Sequence, residues 1–426
     1  MKVSRKNFIF CIVSILLFLI FIVGLGLSFD YVGISFIFNL FLVIILTFLN
    51  NNKYISSALF VYVFSLIFFI VIPWVQYDNK IILWANYAFS KDDYFYLNII
   101  ISLFLVLFYF SYSFSGFTLK LKNSSINLKF SMLFMLSLIC FLMLLYFNNF
   151  KYELLFFKFS SDSGMYDNVV SNPLSNILIW FSRFFPFFIF LKYVTCVDEK
   201  SKVKEFLLLL MVFLCAFPLA VSRFVVAFVY LPILLYYFKY FNNARIFFLI
   251  LVSSIILVFP FLEQFRYYEA ENGIKILPNY EFFIDAHFDA YQNFMDVIRT
   301  DFITFGWQLI GVLFFFIPRT IWVDKPVGSG YQLALNNNYS FNNISMPYIA
   351  EGYVNFGFIG IFVFTFALGF FCKIIDSNFL SKKDNFHFYV GVFYCAAIFF
   401  MMRGDLMSSF SYMLAGVLAY KLANNL

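Results

Sequence analysis

Apolar residues occur in long runs throughout the chain, separated by short polar stretches. An α-helix needs about 20 such residues to cross a bilayer. The first run, from Phe8 to about Ser28, is longer than the apolar core of a signal peptide and has no small-residue cleavage site, so we expect a first transmembrane helix. Further spans are predicted over residues 31–49, 54–76, 95–117, 130–147, 174–194, 206–221, 224–238, 246–262, 353–373, 386–402 and 406–420.

One long polar segment interrupts this pattern and divides the chain into residues 1–262, 263–350 and 351–426. Long connections commonly carry function. Within the segment, Phe302–Ile317 is apolar but only 16 residues long and contains two glycines. Such a run is short for a span, so we expect a re-entrant helix or one that lies on the membrane surface.

Composition narrows the class of protein. Apolar residues make up 63% of the chain and charged residues 12%, against about 45–50% and about 25% in soluble proteins. This excludes a soluble enzyme, a nucleic-acid-binding module and a secreted disulfide scaffold. The sequence predicts an all-α integral membrane protein of about 12 transmembrane helices, with one large outer loop containing short amphipathic or re-entrant helices.

Basic residues give the orientation. If the N-terminus lies inside, the cytoplasmic segments hold 17 of the 29 Lys and Arg but only five of the 23 Asp and Glu. The positive-inside rule then places both termini in the cytoplasm and residues 263–350 outside. This topology accounts for the net charge of +6, so no acidic partner such as nucleic acid is implied.

Arginine is distributed differently from lysine. Of the eight arginines only Arg5 and Arg245 lie inside, whereas six lie outside or open towards the outside: Arg183, Arg223, Arg266, Arg299, Arg319 and Arg403. Because lysine already anchors the spans, we expect binding roles for Arg223 and Arg266, with interfacial anchoring as the alternative. Arg183, inside a span, either faces a cavity or snorkels to the surface.

The stretch 317–330 combines stiffness with charge. Pro318 and Pro326 restrain the backbone around Arg319 and Lys325, which suits a cation site near the membrane. Glu351 opens the next predicted span and is either an aid to the helix N-terminus or a catalytic base. Arg403, in the turn between the last two spans, either binds a ligand or contacts the neighbouring Asp405.

Residues 282–299 are predicted to be helical. Ile284, Phe288, Tyr291, Met295 and Ile298 form one stripe, while Asp285, Asp289, Gln292, Asp296 and Arg299 form a second. His287 belongs to neither stripe, and an ideal helix would not let Asp285 or Asp289 orient its ring. His287 is therefore either a general base or a polar residue at the edge of a docked helix.

The sequence lacks the motifs of several classes of chemistry. The six cysteines all lie in or next to apolar runs, the two histidines are 100 residues apart, and no Gly-rich nucleotide loop stands out. We therefore expect no metal and no cofactor. Arginine binds phosphate oxygens through a planar fork of donors. Cations at a membrane surface therefore favour a reaction in which a group is transferred from a lipid pyrophosphate. They stabilise the negative charge that develops on the departing pyrophosphate.

The chain resembles the O-antigen polymerase family (Wzy-type oligosaccharide repeat-unit polymerases). The resemblance rests on the many-span layout with a late outer loop and on short motifs: Ser222-Arg223, Phe265-Arg266, Pro318-Arg319 to Lys325-Pro326, Glu351-Gly352-Tyr353, Asn355-Phe356-Gly357 and Arg403-Gly404. It implies a membrane glycosyltransferase of the C-like class in the bacterial inner membrane. The active site would face the periplasm.

The resemblance also implies roles and partners. Arg223, Arg266 and Arg319 would hold the pyrophosphate of an undecaprenyl-linked glycan, and Lys325, Arg403 and Arg183 would assist. Glu351 or His287 would deprotonate the attacking sugar hydroxyl in an inverting reaction, and a chain-length regulator is an implied partner. The alternatives are a ligase acting on lipid A core, a lipid-oligosaccharide flippase or other transporter, and a scaffold for the regulator.

Overall fold

The computed structural model describes residues 28–50, 55–114, 129–158, 172–197, 200–258, 261–262, 285–382 and 385–426. These residues form helices and no β-strand. The principal helices are α1 Tyr31–Leu49, α2 Ser57–Asp78, α3 Lys91–Phe114, α4 Phe130–Phe147, α5 Pro173–Cys196, α6 Lys202–Cys215, α7 Arg223–Tyr237, α8 Ala244–Ser253, α9 Ala290–Arg299, α10 Trp307–Leu313, α11 Ser329–Asn336, α12 Tyr348–Ile375, α13 Phe386–Arg403 and α14 Leu406–Asn425.

Eight of these helices are long and apolar enough to cross a membrane: α1 to α5, α12, α13 and α14. Each overlaps a predicted span, so the prediction of a multi-pass all-α membrane protein is confirmed. The predicted spans at 206–221, 224–238 and 246–262 correspond to the shorter helices α6, α7 and α8. The first predicted span lies outside the described residues, and the total of twelve stays a prediction.

Helices α5 and α14 pack side by side and run in the same direction, so their N-terminal ends lie on one face and their C-terminal ends on the other. At one end of the α5–α14 pair, the Trp180 and Tyr412 ring centroids are 4.2 Å apart. At the other end, Lys192 Nζ donates to the carbonyl oxygens of Ala423 and Asn424, both at 2.9 Å. Residues 285–347 pack on the first of these faces, which we call the loop face.

Aromatic rings fill the space between the helices. Phe393 of α13 packs against four rings from α5 and α7, with centroid distances of 5.0–5.8 Å: Phe184, Phe187, Phe188 and Phe228. Lipid tails are as apolar as these side chains, so close van der Waals packing holds such helices together. This rigid core fixes the helix ends that carry the polar groups of the loop face.

Helix α12 is a hairpin of two arms. The backbone reverses at Phe356 and at Gly357, whose φ is +59°, a value that favours glycine. The Tyr348 and Phe364 rings have centroids 5.1 Å apart, whereas a straight helix would separate these residues by about 24 Å. Residues 348–355 therefore fold back against residues 358–375, and the structure differs from the single span predicted over 353–373.

The described part of the predicted outer loop is folded into short helices. Of the predicted segment Phe302–Ile317, only Trp307–Leu313 forms an α-helix, which is too short to cross a bilayer. Residues 282–284 of the helix predicted over 282–299 lie outside the described residues; from Asp285 onward a 3₁₀ turn at Ala286–Phe288 precedes α9, which begins at Ala290. Residues 290–297 are all buried, so Tyr291 and Met295 of one stripe and Gln292 and Asp296 of the other pack inside the protein, whereas Asp285 and Arg299 are exposed.

Candidate functional site

Two carboxylates meet at the N-terminus of α14. Asp405 is the N-cap: its Oδ1 accepts from the backbone N–H of Met407 at 2.9 Å and of Ser408 at 3.4 Å. Its Oδ2 accepts from the N–H of Gly330, at the start of α11, at 3.3 Å. A carboxylate is favourable here because it satisfies free N–H groups and faces the positive end of the helix dipole.

Glu351 approaches the same helix end from α12. Its Oε1 accepts from the N–H of Leu406 at 2.9 Å, and its Oε2 accepts from the Ser329 hydroxyl at 2.7 Å. The side chain is fully buried. Glu351 thus assists the N-terminus of α14, whereas the N-cap position of its own helix belongs to Pro347. We call Glu351, Asp405 and Ser329 the carboxylate cluster.

An open cavity of about 780 Å³ lies next to this cluster. Asp405, Arg319 and Lys325 belong to its wall, together with the aromatic side chains of Trp180 and Tyr412. Its volume falls within the range of about 300–1,000 Å³ that is typical of small-molecule sites. Burial raises the pKa of the Asp405 carboxyl, against the lowering effect of its backbone hydrogen bonds.

Arg319 and Lys325 hold the wall of the cavity in shape. Arg319 donates to the carbonyl oxygens of Lys325 at 2.7 Å and Pro326 at 3.2 Å. Lys325 Nζ donates to the carbonyl oxygens of Ile317 at 3.0 Å and Phe315. Burial and the neighbouring Arg319 charge lower the pKa of Lys325. Arg319 is exposed, and these bonds engage only part of the five N–H donors of its guanidinium.

A second polar group, which we call the arginine–histidine cluster, contains Arg223, His287, Asp289 and Arg403. Arg403 donates to the His287 carbonyl oxygen at 3.0 Å and pairs with Asp289 Oδ1 at 3.4 Å. Arg223 lies 3.4 Å from Nδ1 of the His287 ring. His287 lies in a 3₁₀ turn and Asp289 directly precedes α9, and Arg403 links the backbone of the one to the carboxylate of the other.

The remaining predicted arginines lie elsewhere. Arg183 is buried and donates to the Cys215 carbonyl oxygen at 3.1 Å, with its guanidinium 5.5 Å from the Trp180 ring centroid. It therefore does not snorkel to the surface, and it is not part of the cavity wall. Arg266 lies outside the described residues.

Among those described, no three His, Cys, Asp or Glu side chains are grouped so that they can hold a metal ion.

Sequence reasoning did not select Asp405 and Ser329, which the structure adds to the carboxylate cluster. The available signal for Asp405 was an Asp directly before the last apolar run, which is a helix N-cap pattern. Ser329 gave no such signal, because its contact with Glu351 joins residues 22 positions apart.

Comparison of the chain with protein-family models, curated proteins and solved structures gives no match.

Proposed function

We propose that this chain is a membrane glycosyltransferase that polymerises undecaprenyl-pyrophosphate-linked oligosaccharide repeat units at the periplasmic face of the bacterial inner membrane. The observation that carries the proposal is the cavity on the loop face, where Arg319 and Lys325 share a wall with the carboxylate of Asp405. Transfer from a lipid pyrophosphate needs cations for the leaving group and a proton acceptor for the attacking hydroxyl.

The cavity wall supplies both kinds of group. Arg319 and Lys325 are placed to stabilise the charge that develops on the departing pyrophosphate, since arginine offers a fork of donors to phosphate oxygens. Arg223 and Arg403 add positive charge on the same face, beside His287. In the proposed reaction the hydroxyl of one repeat unit attacks the anomeric carbon of another, and the configuration inverts.

The direct test is incubation of the purified protein with lipid-linked repeat units. A ladder of longer glycans is the expected product. Products of unchanged length would exclude polymerisation and favour a transporter, while transfer to lipid A core alone would identify a ligase.

The cation site is tested by Arg223→Lys and Arg319→Lys. If each arginine forks onto phosphate oxygens, lysine keeps the charge but loses the paired donors. We expect polymerisation to fall by about 10²–10³, corresponding to about 2.7–4 kcal/mol of transition-state stabilisation.

Lys382→Ala is the control, since Lys382 follows α12 at the end away from the loop face. Product ladders should be compared at matched amounts of folded protein. Wild-type ladders from both Arg→Lys variants would remove the arginines from the mechanism.

A further inference from the structure

The groups expected to act as base differ in their access to the cavity. Glu351 is fully buried, with none of its surface exposed. Neither Glu351 nor His287 belongs to the cavity wall, whereas Asp405 does. The His287 ring already has a polar neighbour within the protein, since its Nδ1 lies 3.4 Å from the guanidinium of Arg223.

The rest of the cavity wall suits a sugar. Tyr331, Trp180 and Tyr412 provide aromatic surface, and Asn342 and Asn343 provide amide groups that both donate and accept hydrogen bonds. An aromatic ring covers the apolar face of a pyranose while amides bind its hydroxyl groups. A concave site with aromatic walls and a few polar groups is the usual form of a small-molecule pocket.

We propose that this cavity binds the acceptor sugar and that Asp405 is the catalytic base that takes the proton from its attacking hydroxyl. This inference rests on the proposed glycosyl transfer and replaces both candidate bases of the sequence-based prediction. Glu351 becomes a positioning residue, since it holds Ser329 and the first N–H of α14 behind Asp405.

The proposed step balances without a further reactant. The acceptor oxygen forms a bond to the anomeric carbon of the donor as its proton moves to a carboxylate oxygen of Asp405. The bond from that carbon to the pyrophosphate oxygen breaks, and the electron pair leaves with the pyrophosphate. Arg319 and Lys325, on the same wall, then face the product that gains negative charge.

The surroundings of Asp405 fix the position of its carboxylate. A Cβ on Gly328 would lie 2.3 Å from Asp405 Oδ2, so the glycine backbone packs directly against the acid. Backbone N–H groups from α11 and α14 restrain both oxygens. A base held in one place is effective because proton transfer needs hydrogen-bonding distance to the substrate.

The test is Asp405→Asn in the full-length purified protein. Asparagine is as good an N-cap as aspartate, so α14 should keep its end while the proton acceptor is lost. We expect the rate of polymerisation to fall by about 10²–10⁴. Binding of a lipid-free repeat-unit oligosaccharide, measured by calorimetry, should be unchanged. Asp324→Asn, an exposed carboxylate on the same loop, should behave as wild type.

A second variant separates a base from a structural residue. Asp405→Ala should be inactive and should regain part of its rate when formate is added as an external base, which a purely structural role would not allow. Full activity of Asp405→Asn, loss of oligosaccharide binding in that variant, or failure of formate to rescue would each overturn the base assignment. If wild-type protein makes no polymer, the proposed function itself fails and the base assignment fails with it.

Discussion

Two pairs of carboxylates lie on the loop face, and they differ in the groups that surround them. Asp289, which directly precedes α9, and Asp296 within α9 are almost fully buried and bind side chains from distant segments. Asp289 accepts from the indole of Trp84 at 3.1 Å and from the amide of Asn293 at 3.0 Å. Asp296 accepts from the amide of Asn337 at 2.6 Å and from the hydroxyl of Tyr339.

Glu351 and Asp405 form the other pair. Their partners are mainly backbone N–H groups at helix N-termini, and Asp405 also borders the cavity. Carboxylates that tie several segments together act as structural joints, because losing one leaves the partners unpaired. By contrast, a ligand in the cavity can still reach a carboxylate that is held by backbone groups and borders that cavity. The surroundings, rather than residue type, distinguish the two roles.

The largest expected effect comes from a substitution in the first pair, Asp289 and Asp296. Asp289→Ala would leave Arg403 without its acidic partner and would also remove the acceptor for Ser345. Removing one member of a buried ion pair costs about 3–5 kcal/mol. We expect a marked fall in thermal stability in detergent, whereas exposed Asp324→Ala should change little. Unchanged stability with lost polymerisation would instead place Asp289 in the reaction.

A smaller effect is expected from Tyr339→Phe, which removes one donor to Asp296. A hydrogen bond to a charged group contributes about 1.5–3 kcal/mol. Burial already raises the pKa of Asp296, and the Tyr339 bond opposes that rise, so the variant should raise it further.

The pH dependence of this variant has a definite sign. A carboxyl with a raised folded-state pKa costs stability while it is ionised, and this cost disappears as protonation proceeds. The destabilisation by Tyr339→Phe should therefore be largest near neutral pH and should shrink as the pH falls towards 3.8, the ordinary pKa of Asp. Unfolding midpoints at several pH values measure this, and a destabilisation that grows in acid would contradict it.

The smallest expected effect comes from a substitution next to Glu351, in the second pair. Gly352→Ala places a Cβ 2.6 Å from the Gly360 carbonyl oxygen, which forces the two arms of α12 apart and shifts Glu351 without changing its carboxylate. Overpacking of this kind costs about 1–3 kcal/mol. Polymerisation per folded molecule should also fall. Val363→Ala, at an exposed position on the second arm, is the control; equal behaviour of the two variants would separate Glu351 from the site.

Long apolar runs made the helical membrane fold predictable. The continuous run 353–373 hid the hairpin, because a reversal at Phe356 and Gly357 leaves hydropathy unchanged. The stripes of α9 gave its helical character, but the burial of both faces depends on partners such as Trp84 and Tyr339 that lie far away in the chain. The helical periodicity of the sequence does not by itself reveal such partners.

Candidate site residues were chosen by charge type and position. This selected Arg319, Lys325 and Glu351, which lie in or beside the cavity wall, and Arg223, His287 and Arg403, which form a separate cluster. It passed over Asp405, which was considered only as a neighbour of Arg403. The pairing of Asp405 with Gly330 and of Glu351 with Ser329 depends on how the chain folds back. Short-range patterns do not contain that information.

The α12 hairpin also restricts which sequence changes the protein tolerates. Gly352 and Gly360 meet backbone to backbone, and neither position has a side chain left to remove. A mutation that adds bulk at one position therefore has no second-site suppressor at the other. Relief would have to come from a change in the backbone reversal at Phe356 and Gly357, which sets the distance between the two arms.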